Sequence, residues 1–167
     1  MFFWGCMSMP GAIHTNISEF DNTKEIILEP AWVGSGIKLG LLKRTNMPQD
    51  ELILIVMIDI IRTFAPGNSL HFNIDGEIVS FSSIDATTEF EMGKGIYNPI
   101  GLYFPSVNWS SKRYLINKQF LKKILNAQRV VIRIDLRKEY VEGIFSKDEP
   151  MSARPAFKNF YERMKGI

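Results

Sequence analysis

The segment from Arg113 to Ser146 constrains the fold most, because its hydrophobic period changes within one uninterrupted stretch. Asn117 is a good N-cap residue, and the apolar residues after it recur at helical spacing, which predicts a helix over 117–127. From Val130 onwards apolar and polar residues alternate, which predicts a strand with one buried face. The segment starting at Tyr140 predicts a second, antiparallel strand.

The polar face of the first of these strands carries Arg133 and Asp135. One interpretation is a charged site on an open sheet face. The other is an ordinary solvated face whose side chains pair across strands. The sequence leaves both interpretations open.

Elsewhere the apolar pattern and the turn residues favour antiparallel sheet. Asp75-Gly76 between two alternating stretches predicts a tight hairpin, since Gly accepts a positive φ. The β-branched run from Leu52 to Phe64 predicts a central, buried strand. An apolar stripe at helical spacing predicts a C-terminal helix over 153–165. The expected fold is therefore α+β, mostly antiparallel sheet of six to eight strands with two short helices.

Length and composition favour one domain. The chain has 167 residues, which suits a single core, and we expect residues 24–167 to form it, with 1–23 as a signal remnant and tether. The formal net charge of +2 is too small to indicate a nucleic-acid partner. The single Cys and the two His leave few candidates for a metal site, and we expect neither a metal nor a cofactor.

Two sets of residues are candidates for chemistry. His71, Asn73 and Asp75 alternate with apolar residues and therefore share one strand face, which predicts a polar site. Asn is a poor ligand for transition metals, so this set does not predict a metal site. Asp59 interrupts an apolar run, and a hydrolase-like enzyme could use such a carboxylate. No motif of a known catalytic class accompanies either set, so a non-enzyme is favoured.

The N-terminal stretch ends its apolar run at Gly5-Cys6, after Phe3 and Trp4. This pattern resembles the lipobox of small bacterial cell-envelope lipoproteins of unknown function, in which the Cys thiol takes the lipid. A signal peptide needs a basic region and a longer apolar region, which a start upstream of Met1 would supply. The resemblance implies a lipid anchor at Cys6 on the periplasmic side of the bacterial envelope.

The function expected on this basis is a non-catalytic binding or scaffolding lipoprotein. Its partners would be the membrane, through Cys6, and a protein or other envelope component. Two alternatives remain. The first is a cytoplasmic interaction module in which Cys6 is unmodified. The second is the hydrolase-like enzyme that uses Asp59.

Overall fold

The computed structural model describes residues 11–92, 96–97, 103–104, 108–145 and 152–165. Within them the chain forms short strands and two helices. In chain order these are β1 (Ile13–Ile17), β2 (Lys24–Gly34), β3 (Ile37–Arg44), β4 (Glu51–Ile58), β5 (Asn68–Ile74), β6 (Glu77–Ser82), β7 (Glu89–Met92), β8 (Ile96–Tyr97), β9 (Tyr103–Phe104), β10 (Asn108–Asn117), α1 (Lys118–Asn126), β11 (Val130–Asp135), β12 (Tyr140–Ile144) and α2 (Ala153–Met164).

The strands form two main antiparallel sheets. The large sheet has the order β1–β2–β3–β4–β10–β7, and the small sheet has the order β12–β11–β5–β6. β8 and β9 form a separate antiparallel pair. The two main sheets meet near both edges of the small sheet. An isolated bridge joins Ser83, just after β6, to Tyr114 in β10, and Gly143 in β12 lies against the carbonyl oxygen of Gly34 at the end of β2.

One hydrophobic core lies between the two sheets. From the large sheet it takes the inward side chains of β4, which alternate with half-buried ones on the other face. From the small sheet it takes Phe72 and Ile132, both fully buried on neighbouring strands. Burying one such side chain stabilises the fold by about 1.5–3 kcal/mol. The sandwich is therefore held by matching apolar faces, and its outer faces are free to carry other residues.

Both predicted helices are confirmed. The Asn117 side chain accepts a hydrogen bond from the Phe120 amide at 2.7 Å and so caps α1. The buried side of α2 packs on β2 and β3, and Phe157 meets Phe145 edge to face. Neither helix in the described ranges is long and apolar enough to span a bilayer.

The expectation of mostly antiparallel sheet with two helices is confirmed, but the number of strands is wrong. The described residues hold ten strands in two sheets and one further short pair, more than the predicted six to eight. The short edge strands β1 and β7 account for part of the excess. Most of their side chains are exposed, so they lack the apolar alternation by which a strand is recognised from sequence.

Glycine is required at the β2–β3 turn. Ser35 and Gly36 both have positive φ, as a tight hairpin turn demands. A Cβ atom at Gly36 would lie 1.9 Å from a carboxylate oxygen of Asp59. At the β5–β6 turn, Gly76 also has positive φ, but a Cβ atom there would meet open space. Positive φ disfavours a side chain at both glycines, but only at Gly36 does a neighbouring side chain also occupy the space that a Cβ atom would need.

We therefore expect Gly36→Ala to lower the free energy of unfolding by about 2–3 kcal/mol, and Gly76→Ala by only about 1 kcal/mol. Adding Asp59→Ala to the Gly36→Ala variant should restore part of the loss, because it removes the clash but not the backbone strain. Urea denaturation of the variants measures these differences. Equal losses at the two glycines would show that Asp59 does not confine this turn.

Candidate functional site

The candidate site lies on the outer face of the small sheet. The strand register places Arg133 of β11 directly between Glu142 of β12 and His71 of β5, and His71 is opposite Ser80 of β6. We call these four residues the charged row. They lie on one face because each faces away from the apolar side chains that its strand buries. The row therefore crosses all four strands of the small sheet.

His71 is held from two sides. Its Nδ1 lies 2.7 Å from Oγ of Ser80, and its Nε2 lies 3.1 Å from Oδ2 of Asp135. An ionised carboxylate only accepts hydrogen bonds, so Nε2 carries the hydrogen that faces Asp135. In the neutral ring Nδ1 then accepts a hydrogen bond from the Ser80 hydroxyl. The imidazole is fixed in one orientation.

Asp135 joins His71 to Arg133. Its second oxygen, Oδ1, accepts a hydrogen bond from Nε of Arg133 at 2.7 Å. Partial burial raises the pKa of Asp135, but the hydrogen bond and charge of Arg133, followed by those of His71, outweigh burial and hold this pKa below its ordinary value. The Arg133 guanidinium also lies 4.0 Å from the ring centre of Tyr140. These contacts order the Arg133 side chain.

A second row, apolar except for Asn73, runs beside the charged row, and we call it the apolar row. Ile144, Val131, Asn73 and Ile78 face one another in that order across the four strands. Ile78 is 69% exposed and Ile144 is 51% exposed, so both ends of the row are open to solvent. A cleft of about 580 Å³ lies over parts of both rows, and the side chain of Arg129 also lines it. The face thus combines exposed apolar groups with two guanidinium groups.

The three residues predicted to share a polar face have different roles in the site. His71 presents its ring on the face. The Asn73 side chain accepts a hydrogen bond from the amide of Gly76, which stabilises the hairpin turn. Asp75 has positive φ and accepts hydrogen bonds from the amides of Gln128 and Arg129. Asn73 and Asp75 line the cleft but mainly shape the backbone around it.

Asp59, the other predicted candidate, lies directly after β4, a strand of the large sheet. It is exposed and lies beside Gly36 and Lys38. The Lys38 ammonium is 4.3 Å from the ring centre of Trp32 and 4.0 Å from that of Trp109. Burial lowers the pKa of Lys38, and the charge of Asp59 partly opposes this effect. Asp59 therefore lies beside a lysine that two indole rings enclose, which is a stabilising arrangement.

The Ser80–His71–Asp135 chain contains two elements of a serine hydrolase, a hydroxyl beside a base and a base oriented by a carboxylate. Two features weaken it as a reaction centre. Asp135 accepts a hydrogen bond from Arg133 as well, so its carboxylate does not serve His71 alone. Backbone amides of a strand lie in the plane of the sheet, whereas an oxyanion hole requires donors directed at the reacting atom above it. The arrangement is better suited to binding.

Within the described ranges, no group of three or more His, Cys, Asp or Glu side chains is placed to hold a metal ion. Cys6 lies outside the residues that the structure describes. In comparisons with known proteins, no family model matches the chain, and neither a curated protein nor a solved structure matches it.

The sequence alone does not predict several residues of the site. The Asp75-Gly76 turn fixes the β5–β6 register, so the pairing of His71 with Ser80 could have been found by counting back from that turn. No comparable signal exists for Glu142 or Arg129. They reach the site through strand pairings and packing that join distant parts of the chain.

We expect Arg133→Ala to raise the pKa of Asp135 towards its ordinary value of 3.8. A lowered carboxyl pKa stabilises the fold above the ordinary value, and this contribution is lost as the pH falls through the folded pKa. The share of stability that comes from this pair should therefore vanish in acid. Titration of the Asp135 carboxyl carbon by NMR measures the pKa. Arg137→Ala, which removes a charge elsewhere on the surface, should leave it unchanged, and an unaltered pKa in Arg133→Ala would refute the pairing.

Proposed function

We propose that this protein is a non-catalytic binding lipoprotein of the bacterial envelope, anchored through Cys6. Its outer small-sheet face would contact a protein partner. The observation that carries the binding role is the cleft with two guanidinium groups, those of Arg129 and Arg133, beside exposed apolar side chains. The Gly5-Cys6 sequence supports the anchor.

The arrangement of Arg133 supports a partner that presents a carboxylate. Asp135 holds its Nε and the Tyr140 ring lies against its guanidinium, while its terminal nitrogens make no hydrogen bond within the part of the chain that the structure describes. An ordered guanidinium with a free fork binds a carboxylate through two parallel hydrogen bonds. Arg129 lines the same cleft. We expect an acidic side chain of a partner protein to pair with these guanidinium groups, in competition with Glu142, which lines the same cleft.

The margins of the face favour a protein over a small molecule. Ile78 and Ile144 are exposed at opposite ends of the apolar row, and Tyr140 is 55% exposed beside Arg133. Protein interfaces are enriched in Tyr and Arg and combine apolar contact with a few ordered polar pairs. A shallow face spanning four strands gives a partner protein more contact than it gives a small ligand.

The hydrolase alternative is supported by the Ser80–His71–Asp135 chain rather than by Asp59. It requires oxyanion donors, which the sheet geometry around Ser80 does not direct at a substrate. The cytoplasmic alternative uses the same binding face without the anchor. It differs from the proposal in the state of Cys6, not in the chemistry of the face.

Photo-crosslinking in the producing cells tests the binding face. With p-benzoylphenylalanine at Ile78, we expect one discrete adduct of higher mass, because this position borders the cleft. The same probe at Phe20, which is fully exposed in the β1–β2 turn, should give none. Arg133→Ala should abolish the adduct at Ile78, whereas Arg137→Ala should leave it intact.

Equal adducts at both probe positions would indicate chance encounters and contradict a specific face. An Ile78 adduct that survives Arg133→Ala would show that the guanidinium does not select the partner. The fold of each variant is checked by its thermal unfolding curve, since Arg133 also orders Tyr140.

A further inference from the structure

The two helices enclose a second cleft, separate from the small-sheet face. α1 and α2 pack against each other, and a cleft of about 690 Å³ lies along their solvent side. Lys122 and Leu125 of α1 form one wall. Lys158, Tyr161, Glu162 and Lys165, from α2 and its C-cap, form the other.

The helix pair carries an excess of positive charge. α1 has three lysines and no acidic residue, and α2 with its C-cap has Glu162 as its single acidic residue. Lys123 is paired with Glu77, and Lys165 with Glu162. Lys122 and Lys158 face the cleft and form no hydrogen bond or ion pair with any described residue. Two positive charges therefore remain uncompensated at its walls.

A buried arginine fixes the separation of the walls. Arg154, at the start of α2, is only 5% exposed. Its guanidinium donates hydrogen bonds to the carbonyl oxygens of Leu125 and Ala127 at the end of α1. These carbonyls would otherwise lack partners at a helix terminus. The contact joins the two helices, so the fold sets the separation of the backbone segments that carry the lysines.

We propose that this basic cleft binds a phosphate group, with Lys122 and Lys158 donating from opposite walls. Lysine ammonium groups act as compact point charges, which suit a phosphate better than the planar pairing that selects carboxylates. Tyr161 also lines the cleft, and its hydroxyl can donate a hydrogen bond. An anionic phospholipid headgroup and a soluble phosphate ester share this chemistry.

The position of the cleft favours a phospholipid headgroup as the source of the phosphate. Gly11 lies beside Ala156 of α2, where an added Cβ atom would be 3.4 Å from the Ala156 Cβ. Four residues separate Cys6 from Gly11, and the five Cα–Cα steps between them can span no more than about 18 Å. If Cys6 is anchored as proposed above, α2 stays near the bilayer surface. The cleft itself does not depend on the anchor.

Vesicle co-sedimentation of the full chain with Cys6→Ser tests the cleft without the anchor. We expect binding to phosphatidylcholine vesicles only when they contain phosphatidylglycerol. Lys122→Ala with Lys158→Ala should weaken that binding by on the order of tenfold. Arg137→Ala with Lys138→Ala removes the same charge from the β11–β12 turn and should change it little.

In a second experiment, glycerol phosphate is titrated into the same proteins, and the chemical shifts of the Tyr161 ring are followed by NMR. Shifts lost in the Lys122→Ala, Lys158→Ala variant, without vesicle binding, would support the cleft and assign it a soluble ligand. Equal weakening in the two double variants would reduce the effect to overall charge and overturn the proposal. Absence of both vesicle binding and ring shifts would also overturn it. None of these outcomes bears on the anchor or the small-sheet face.

Discussion

The shared core of the two sheets is the constraint on which the rest of the structure depends. Strand side chains alternate, so burying Phe72 and Ile132 forces their neighbours His71 and Arg133 outward. A slip of one residue between β5 and β11 would expose apolar side chains at about 2 kcal/mol each and bury a guanidinium. The core therefore fixes the register, and the register assembles the charged row.

The sequence predicts what depends on local order. The cap at Asn117 and the hairpin at Asp75-Gly76 are both present, because each needs only a few neighbouring residues. The bulge in β2 around Pro30 has a local cause too, since Pro lacks the amide that a regular ladder uses. β1 and β7 are only weakly indicated by the sequence, because exposed edge strands lack a clear apolar pattern. The pairing of β5 with β11 escapes prediction, because the pairing of distant segments follows from the whole core.

Two surfaces carry the functional account, and they differ in how their charges are held. On the small sheet, Asp135 orders both His71 and Arg133, which leaves one guanidinium fork for a carboxylate. In the basic cleft, Lys122 and Lys158 are flexible point charges on a rigid helix pair. The first arrangement suits a specific protein contact, and the second suits a phosphate. An anchor at Cys6 would let one chain use both at a membrane surface.

Mass spectrometry of the N-terminal peptide tests the central claim, that this is an anchored binding protein. The gene is expressed in its own host with the genomic sequence upstream of Met1, and the product is extracted with detergent. We expect a chain that begins at Cys6 and carries a diacylglyceryl group on the thiol, and a Cys6→Ser variant that is neither processed nor lipidated. An unmodified Cys6 in a chain released without detergent would contradict the anchor and favour the cytoplasmic module.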